Sequence, residues 1–189
     1  EGLRILIIDD NAHIRQLLRT ILYAVGIRAI DVAEDGVSGF DSFCRLEYDL
    51  VFTDYEMEPI SGLDLADMIR TSRKSPNPYV PIIMISSYSD EERVQGARDR
   101  GVTEFLAKPI TVDVLMSRLE SVIEEPRPFV RTESYFGPDR RRKQDKRYTG
   151  PERRKADLEQ VKVSVRDLSE QQRSALKESR ENVAKIAGD

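Results

Sequence analysis

Five short apolar runs alternate with five amphipathic stretches across residues 1–125, and this alternation restricts the fold more than any other feature of the chain. The first run, Leu3-Arg4-Ile5-Leu6-Ile7-Ile8, reads as a strand buried on both faces and stops at Asp9-Asp10. Asn11 is placed to cap a helix in which Ile14, Leu17, Leu18, Ile21 and Leu22 recur at helical spacing, and Gly26 ends it. A second strand is expected over Ala29–Ala33 and a second helix near 37–46. A third strand over 50–53 ends at Asp54, and a helix follows over roughly 62–73. Pro76, Pro78 and Pro81 mark a loop, after which a fourth strand over 80–85 ends at Ser86-Ser87. A helix from near Asp90 to Gly101, a short strand Glu104–Ala107, Lys108-Pro109 and a helix capped by Thr111 and running to about Glu124 complete the set. The order predicts an α/β fold with a five-stranded, doubly wound parallel sheet and helices on both faces. Ligands of such sheets sit at the carboxyl ends of the strands.

Those ends carry the chemistry. Strand one delivers Asp9 and Asp10, strand three Asp54, strand four Ser86, and strand five leads to Lys108. Three carboxylates in one crevice repel each other. Either Lys108 alone relieves a strained cluster, or the cluster holds a hard cation such as Mg²⁺ through oxygen ligands. The gathering of all five groups at matching strand ends favours the second reading. Asp54 can then act as a nucleophile toward a phosphoryl donor and form an acyl phosphate. Mg²⁺ on Asp10 and Asp54 would offset charge developing on the phosphoryl oxygens. Lys108 would pair with one of those oxygens, and the Ser86 hydroxyl could bond another.

Asp9-Asp10, Asp54, Ser86 and Lys108-Pro109 at these spacings resemble a CheY-like response-regulator receiver domain, a flavodoxin-like fold, over residues 1–125. The resemblance implies a phosphoacceptor of a two-component system, charged by the phosphohistidine of a histidine kinase or phosphotransfer protein with Mg²⁺ as cofactor, and not an enzyme otherwise. It makes Asp54 the phosphorylation site, Asp9 and Asp10 the metal-binding acidic pair, and the Glu56 backbone carbonyl a third protein ligand of the metal. Ser86 and Lys108 become the groups that sense the phosphate, and Phe105 the switch aromatic, a ring that lacks the hydroxyl of Tyr. The family loop reads Asp-x-x-Met-Pro with Gly eight residues after the Asp. Here Met57 and Gly62 are in place, but Pro59 is one position late, so the turn is expected to differ locally. Glu56 and Tyr88, two residues beyond Asp54 and Ser86, occupy positions that tune access of water to the phosphate in this family. His13 is expected to be a first-turn surface residue and Cys44 a packing residue.

The composition changes at Pro126. Residues 1–125 carry 13 Lys/Arg against 23 Asp/Glu, whereas 126–155 carry 11 against 4. An acidic body thus bears a basic segment, and the two are suited to different partners. Residues 126–155 are rich in Arg, Gly and Pro and read as a linker, disordered or locally ordered without ligand. Residues 156–189 regain helix-forming composition and are expected to be a helix or helix pair.

The basic segment contains a repeat. Tyr135-Phe136-Gly137-Pro138-Asp139-Arg140-Arg141 recurs thirteen residues later as Tyr148-Thr149-Gly150-Pro151-Glu152-Arg153-Arg154. Arginine can bond guanine O6 and N7 in a bidentate manner, a carboxylate can accept from N1 and N2, and a Tyr ring or Arg plane can stack on the base. Two cassettes suit a ligand with two guanines. The segment resembles the arginine-rich tails of the Cle group of CheY-like regulators, which bind cyclic di-GMP. That resemblance assigns ligand contacts to Tyr135, Asp139, Arg140, Arg141, Tyr148, Glu152, Arg153 and Arg154, with Arg131 a further candidate. It also implies output by protein contact with a flagellar motor component or a kinase, in chemotaxis or motility. The competing readings are a tail that binds nucleic acid through phosphates or one that only docks on the acidic receiver.

Other classes are excluded by simple counts. One cysteine and one histidine leave no intrachain disulfide framework and no multi-histidine metal site. No apolar run approaches the ~20 residues needed to span a bilayer. The chain opens directly on a strand-like run, so no signal peptide is expected, and the expected compartment is the cytoplasm.

Overall fold

A computed structural model of the chain describes residues 2–139, the backbone of 159–161 and residue 174. Elements alternate as β1 (Arg4–Ile8), α1 (Ala12–Ala24), β2 (Ala29–Ala33), α2 (Gly36–Arg45), β3 (Leu50–Asp54), α3 (Gly62–Thr71), β4 (Ile82–Ser86), α4 (Glu91–Asp99), β5 (Glu104–Ala107) and α5 (Val112–Glu124). The five strands form one parallel sheet in the order β2-β1-β3-β4-β5. The doubly wound expectation therefore holds, and the chain reverses its winding between β1 and β3, where sheets of this kind bind ligands. Among the described residues no helix is long and apolar enough to cross a membrane.

Strand periodicity divides the core into two layers. Ile5 and Ile7 of β1, with Phe52 and Ile83, face the α1 and α5 side, where Leu18, Leu22, Leu115 and Leu119 cover them. Leu6 and Ile8, with Val51, Ile82 and Met84, face Phe43, Leu65, Ala66 and Ile69 of α2 and α3. Every residue of β3 and β4 is buried, which explains their lack of polar alternation. The helix starts follow the side chains that cap them. Asn11, Asp35, Ser61, Asp90 and Thr111 each accept a backbone N–H of the next turn. β4 begins at Ile82 rather than at residue 80, because Pro81 has no N–H to give the ladder.

Beyond α5 the chain forms a small antiparallel sheet, β6 (Phe129–Arg131) with β7 (Phe136–Pro138) on one edge and β8 (Glu159–Val161) on the other. The strand at Glu159–Val161 corrects the expectation of a helix or helix pair over 156–189 at those three residues. Pairing satisfies the open edge of β6, and that outweighs a helix propensity carried by a thin apolar stripe. Residue 174 is helical, and the rest of that expected helix lies outside the described residues.

The hairpin packs on the far end of the sheet from the carboxyl termini of the strands. Phe129, Phe136 and Tyr79 form a cluster with ring centres 5.3–5.8 Å apart. Arg70 of α3 lies beneath it, 4 % exposed, with its guanidinium 4.9 Å from the Phe129 ring centre. Its Nε and Nη2 donate to the Gly101 carbonyl at 3.1 and 2.9 Å, and Nη1 donates to the Pro78 carbonyl at 2.8 Å. Burial pushes the Arg70 pKa down to about 9, with the charge of Tyr135 acting against that fall, so Arg70 remains a cation at neutral pH. Gly101 adopts φ +75°, and a Cβ there would meet the Phe136 carbonyl oxygen at 2.7 Å. Gly137 approaches so closely that its own Cβ would lie 2.6 Å from the Gly101 Cα. The two glycines thus let the backbone of the hairpin touch that of the α/β domain.

Candidate functional site

The carboxyl ends of β1, β3, β4 and β5 lie level because their registers are matched, Ile8 with Thr53, Asp54 with Ile85, and Ser86 with Ala107. Asp9, directly after β1, is fully buried, and Asp54, the last residue of β3, is 5 % exposed. Lys108 reaches back between them. Its Nζ lies 2.7 Å from Asp54 Oδ1 and 3.4 Å from Asp9 Oδ2. The Lys108 N–H donates to the Ser86 carbonyl at 2.8 Å, which ties the end of β5 to that of β4. The peptide bonds Lys108-Pro109 and Glu58-Pro59 are both cis.

The remaining oxygens are held by backbone. Asp54 Oδ2 accepts from the Glu56 N–H at 3.0 Å, Asp9 Oδ1 from the Asn11 N–H at 2.8 Å, and Ser86 Oγ from the Tyr88 N–H at 3.1 Å. Burial raises the Asp9 pKa first. The Asn11 hydrogen bond works against that, the charge of Asp54 adds to it, and Lys108 offsets only part. For Lys108, burial favours the neutral amine, but the hydrogen bond and charge of Asp54, with those of Asp9, outweigh it and raise its pKa.

The other expected site residues are placed as follows. Asp10 is exposed, and its carbonyl accepts from Arg15 Nη1 at 3.1 Å. Asp9 and Asp54 meet at Lys108, and among the described residues no three His, Cys, Asp or Glu side chains converge as a metal-binding group. Phe105 is half-buried on β5 against the layer that α2 and α3 cover. The late proline leaves the β3–α3 loop closed, because the Gly62 N–H donates to the Tyr55 carbonyl at 3.0 Å. Glycine is required at that position, since a Cβ would fall 2.0 Å from the Asp54 carbonyl oxygen. His13 is exposed on α1, and Cys44 is partly buried with its Sγ 3.4 Å from the Lys74 carbonyl.

Of the cassette residues, Tyr135, Asp139 and Arg131 are described, and Arg140, Arg141, Tyr148, Glu152, Arg153 and Arg154 lie outside the described residues. The Tyr135 hydroxyl donates to the Pro138 carbonyl at 2.7 Å, so it closes the Gly-Pro turn of its own repeat. The Asp139 N–H donates to the Pro128 carbonyl at 2.8 Å, which leaves the residue at the exit of the hairpin. Arg131 is exposed, and its guanidinium stacks 4.1 Å from the Phe136 ring centre.

Two arginines were missed by reading residue types alone. Arg70 is the buried anchor described above. Arg93, in the first turn of α4, pairs with Glu56 beside the site. Its only signal in the sequence is a position three residues after the Asp90 cap.

A buried acidic pair joined by a lysine at the winding reversal of a parallel sheet defines a receiver-type signalling domain. The chain belongs to the response regulator receiver domain family, whose model matches residues 5–120. It is 27 % identical over 124 residues to the chemotaxis protein CheY-3 of Vibrio cholerae, covering 66 % of this chain and 94 % of that protein. It is 30 % identical over 122 residues to a CheY homologue of Campylobacter jejuni, covering 64 % of this chain and 92 % of the relative. Its fold matches the receiver domain of a sensor histidine kinase from Pseudomonas aeruginosa PAO1, with TM-score 0.57 and 24 % identity over 64 % of this chain and 96 % of that one. That domain was crystallised with a magnesium ion coordinated in its active-site cleft.

Proposed function

We propose that this chain is a response regulator with two inputs. It accepts a phosphoryl group on Asp54 from the phosphohistidine of a histidine kinase or phosphotransfer protein, and it binds cyclic di-GMP through the arginine cassettes after the receiver. Its output is contact with another protein, a flagellar motor component or a kinase, and its similarity to chemotaxis proteins supports a role in motility. Residues 1–125 act as the receiver, 126–155 as the ligand-binding segment, and 156–189 as a C-terminal segment that contributes β8.

The single observation that carries the first input is the Asp54 carboxylate, nearly buried, with Lys108 on one oxygen and the Glu56 amide on the other. In the transfer, a carboxylate oxygen bonds to phosphorus as the phosphorus–nitrogen bond of the donor breaks, and the electron pair of that bond leaves on the imidazole. Lys108 and the Ser86 hydroxyl would pair with phosphoryl oxygens, and Phe105 lies on β5, the strand that leads to Lys108. The donor set fits Mg²⁺. It is all oxygen, and one ammonium faces two carboxylates, of which Asp9 resists its own charge. Asp9, Asp10, Asp54 and the Glu56 carbonyl would hold the ion, and it would supply charge stabilisation for the phosphoryl oxygens.

The second input rests on the repeated cassette and on the stacking of Arg131 on Phe136, which presents an exposed guanidinium plane beside the first cassette. The alternative, phosphate-only binding of nucleic acid by the basic segment, makes a different prediction about bases.

Two experiments test the reading. Acetyl phosphate with Mg²⁺ should label the intact protein and leave Asp54→Asn unlabelled; equal labelling of the two ends the Asp54 assignment. Isothermal titration should show heat with cyclic di-GMP, little with cyclic di-AMP, and none for Arg140→Ala combined with Arg153→Ala. No heat with the intact protein retires the second input, and equal response to both dinucleotides favours the nucleic-acid alternative.

A further inference from the structure

Two loops frame the mouth of the site, and one arginine holds both. The loop after β3 carries Tyr55 and Glu56 next to Asp54, and the loop after β4 carries Tyr88 two residues beyond Ser86. Arg93 reaches across from α4. Its Nη1 donates to Glu56 Oε1 at 2.7 Å, and its Nε lies 3.4 Å from Asp90 Oδ2. The guanidinium carbon stands 4.4 Å from the Tyr88 ring centre and 5.2 Å from that of Tyr55. The residues it grips are tied to the reactive groups through their backbones. The Glu56 N–H bonds Asp54 Oδ2, and the Tyr88 N–H bonds Ser86 Oγ.

We propose that Arg93 is a positioning residue that clamps Glu56 and Tyr88 at the edge of the phosphosite and so lengthens the lifetime of the phosphoryl group on Asp54. This rests on the reading of Asp54 as the phosphoacceptor. Loss of the group is a displacement. A water oxygen bonds to phosphorus as the bond from phosphorus to the Asp54 oxygen breaks. The electron pair returns to the carboxylate, inorganic phosphate departs, and the released proton passes to solvent. A free Glu56 carboxylate can accept a hydrogen bond from the incoming water and orient it. Held by Arg93, that carboxylate is directed toward α4 instead. The planar guanidinium also supports the Tyr88 ring, which lysine, a point charge on a flexible stem, does not reproduce.

The pair is exposed, 30 % for the Arg93 side chain and 54 % for Glu56, so it contributes little to folding and is open to screening by salt. Its effect belongs to geometry at the site. That separates it from a purely structural contact, because removing it should change a rate while leaving the fold intact.

The test uses the full chain, labelled with radioactive acetyl phosphate and Mg²⁺, freed of donor, and followed as the label decays. Arg93→Ala should lose label about three- to tenfold faster than the intact protein, well short of the roughly 10²–10⁴-fold of a full general base, because the freed Glu56 carboxylate orients the water without a fixed partner. Arg93→Ala with Glu56→Gln should return to the rate of Glu56→Gln alone, and Arg93→Lys should restore part of the lifetime. Added salt should speed decay of the intact protein but not of Arg93→Ala. Decay of Arg93→Ala at the intact rate or slower overturns the clamp, as does fast decay that persists in the double variant. Failure of the intact protein to take label is a separate outcome, which overturns the phosphoacceptor reading and the clamp with it.

Discussion

Asp9 sits where its own charge is least welcome. It is fully buried, and burial with the neighbouring Asp54 raises its pKa despite Lys108 and the Asn11 amide. A carboxyl whose folded pKa exceeds its unfolded one favours folding while protonated, and that contribution is lost as pH rises through the folded value. Ionised Asp9 therefore subtracts from stability at neutral pH. Asp9→Asn should raise the melting temperature by a few degrees at pH 7, and the gain should shrink as pH falls toward the ordinary range of a carboxyl. Thermal denaturation at a series of pH values checks this, and a gain that grows in acid contradicts it. The same substitution should weaken Mg²⁺-dependent labelling, since a group that resists its charge is retained for what it binds. At this scale much was legible from residue types. Asp9, Asp54, Ser86 and Lys108 meet because strand ends in a parallel sheet lie level, and alternation alone fixes those ends. Arg93 was not legible, because its reach to Glu56 depends on the rotation of α4 and on the path of the loop after β3.

The β6–β7 hairpin shows where element-level reading stops. Its strands have three residues each, too short for a periodic signal, and the surrounding Arg, Gly and Pro suggest a linker. What orders it is tertiary contact, the Phe129, Phe136 and Tyr79 rings over Arg70. Arg127 adds a hydrogen bond to Glu104 at 3.3 Å, at the first residue of β5. Removing Phe129 would uncover the Arg70 guanidinium and leave a cavity. Phe129→Ala should cost about 3 kcal/mol, a fall in melting temperature of roughly 6–12 °C. A shift below one or two degrees would mean that the hairpin is not part of the cooperative unit. Tyr135 carries the same lesson. In sequence its aromatic ring reads as a stacking platform, yet its hydroxyl closes the turn at Pro138, so part of the repeat serves architecture.

Across the whole molecule, the acidic balance of 1–125 and the basic balance of 126–155 meet within one chain. The described part of the first cassette ends at Asp139, whose carbonyl accepts from Arg127, and Arg127 also bonds Glu104 at the start of β5, the end of the sheet remote from Asp54. A dinucleotide offers two phosphates, so its affinity should fall only modestly with salt, while a phosphate-reading nucleic-acid tail would show a slope that grows with every contact. Repeating the cyclic di-GMP titration at several salt concentrations measures that slope, and a steep one contradicts the cassette reading. The division of the chain at Pro126 was legible as a break in composition. The direct packing of the hairpin on the domain was not, because neither Gly101 nor Gly137 announces its partner in the sequence.

That contact between two glycines bears on how such a chain can be recombined. The hairpin cannot be treated as a portable tag. Moved behind another receiver, it would meet a side chain wherever the host lacks glycine at the position of Gly101, and it would lose its cationic floor wherever the host lacks an arginine at that of Arg70. The two halves are fitted to each other, so a chimera would need both of those host positions carried along with the graft.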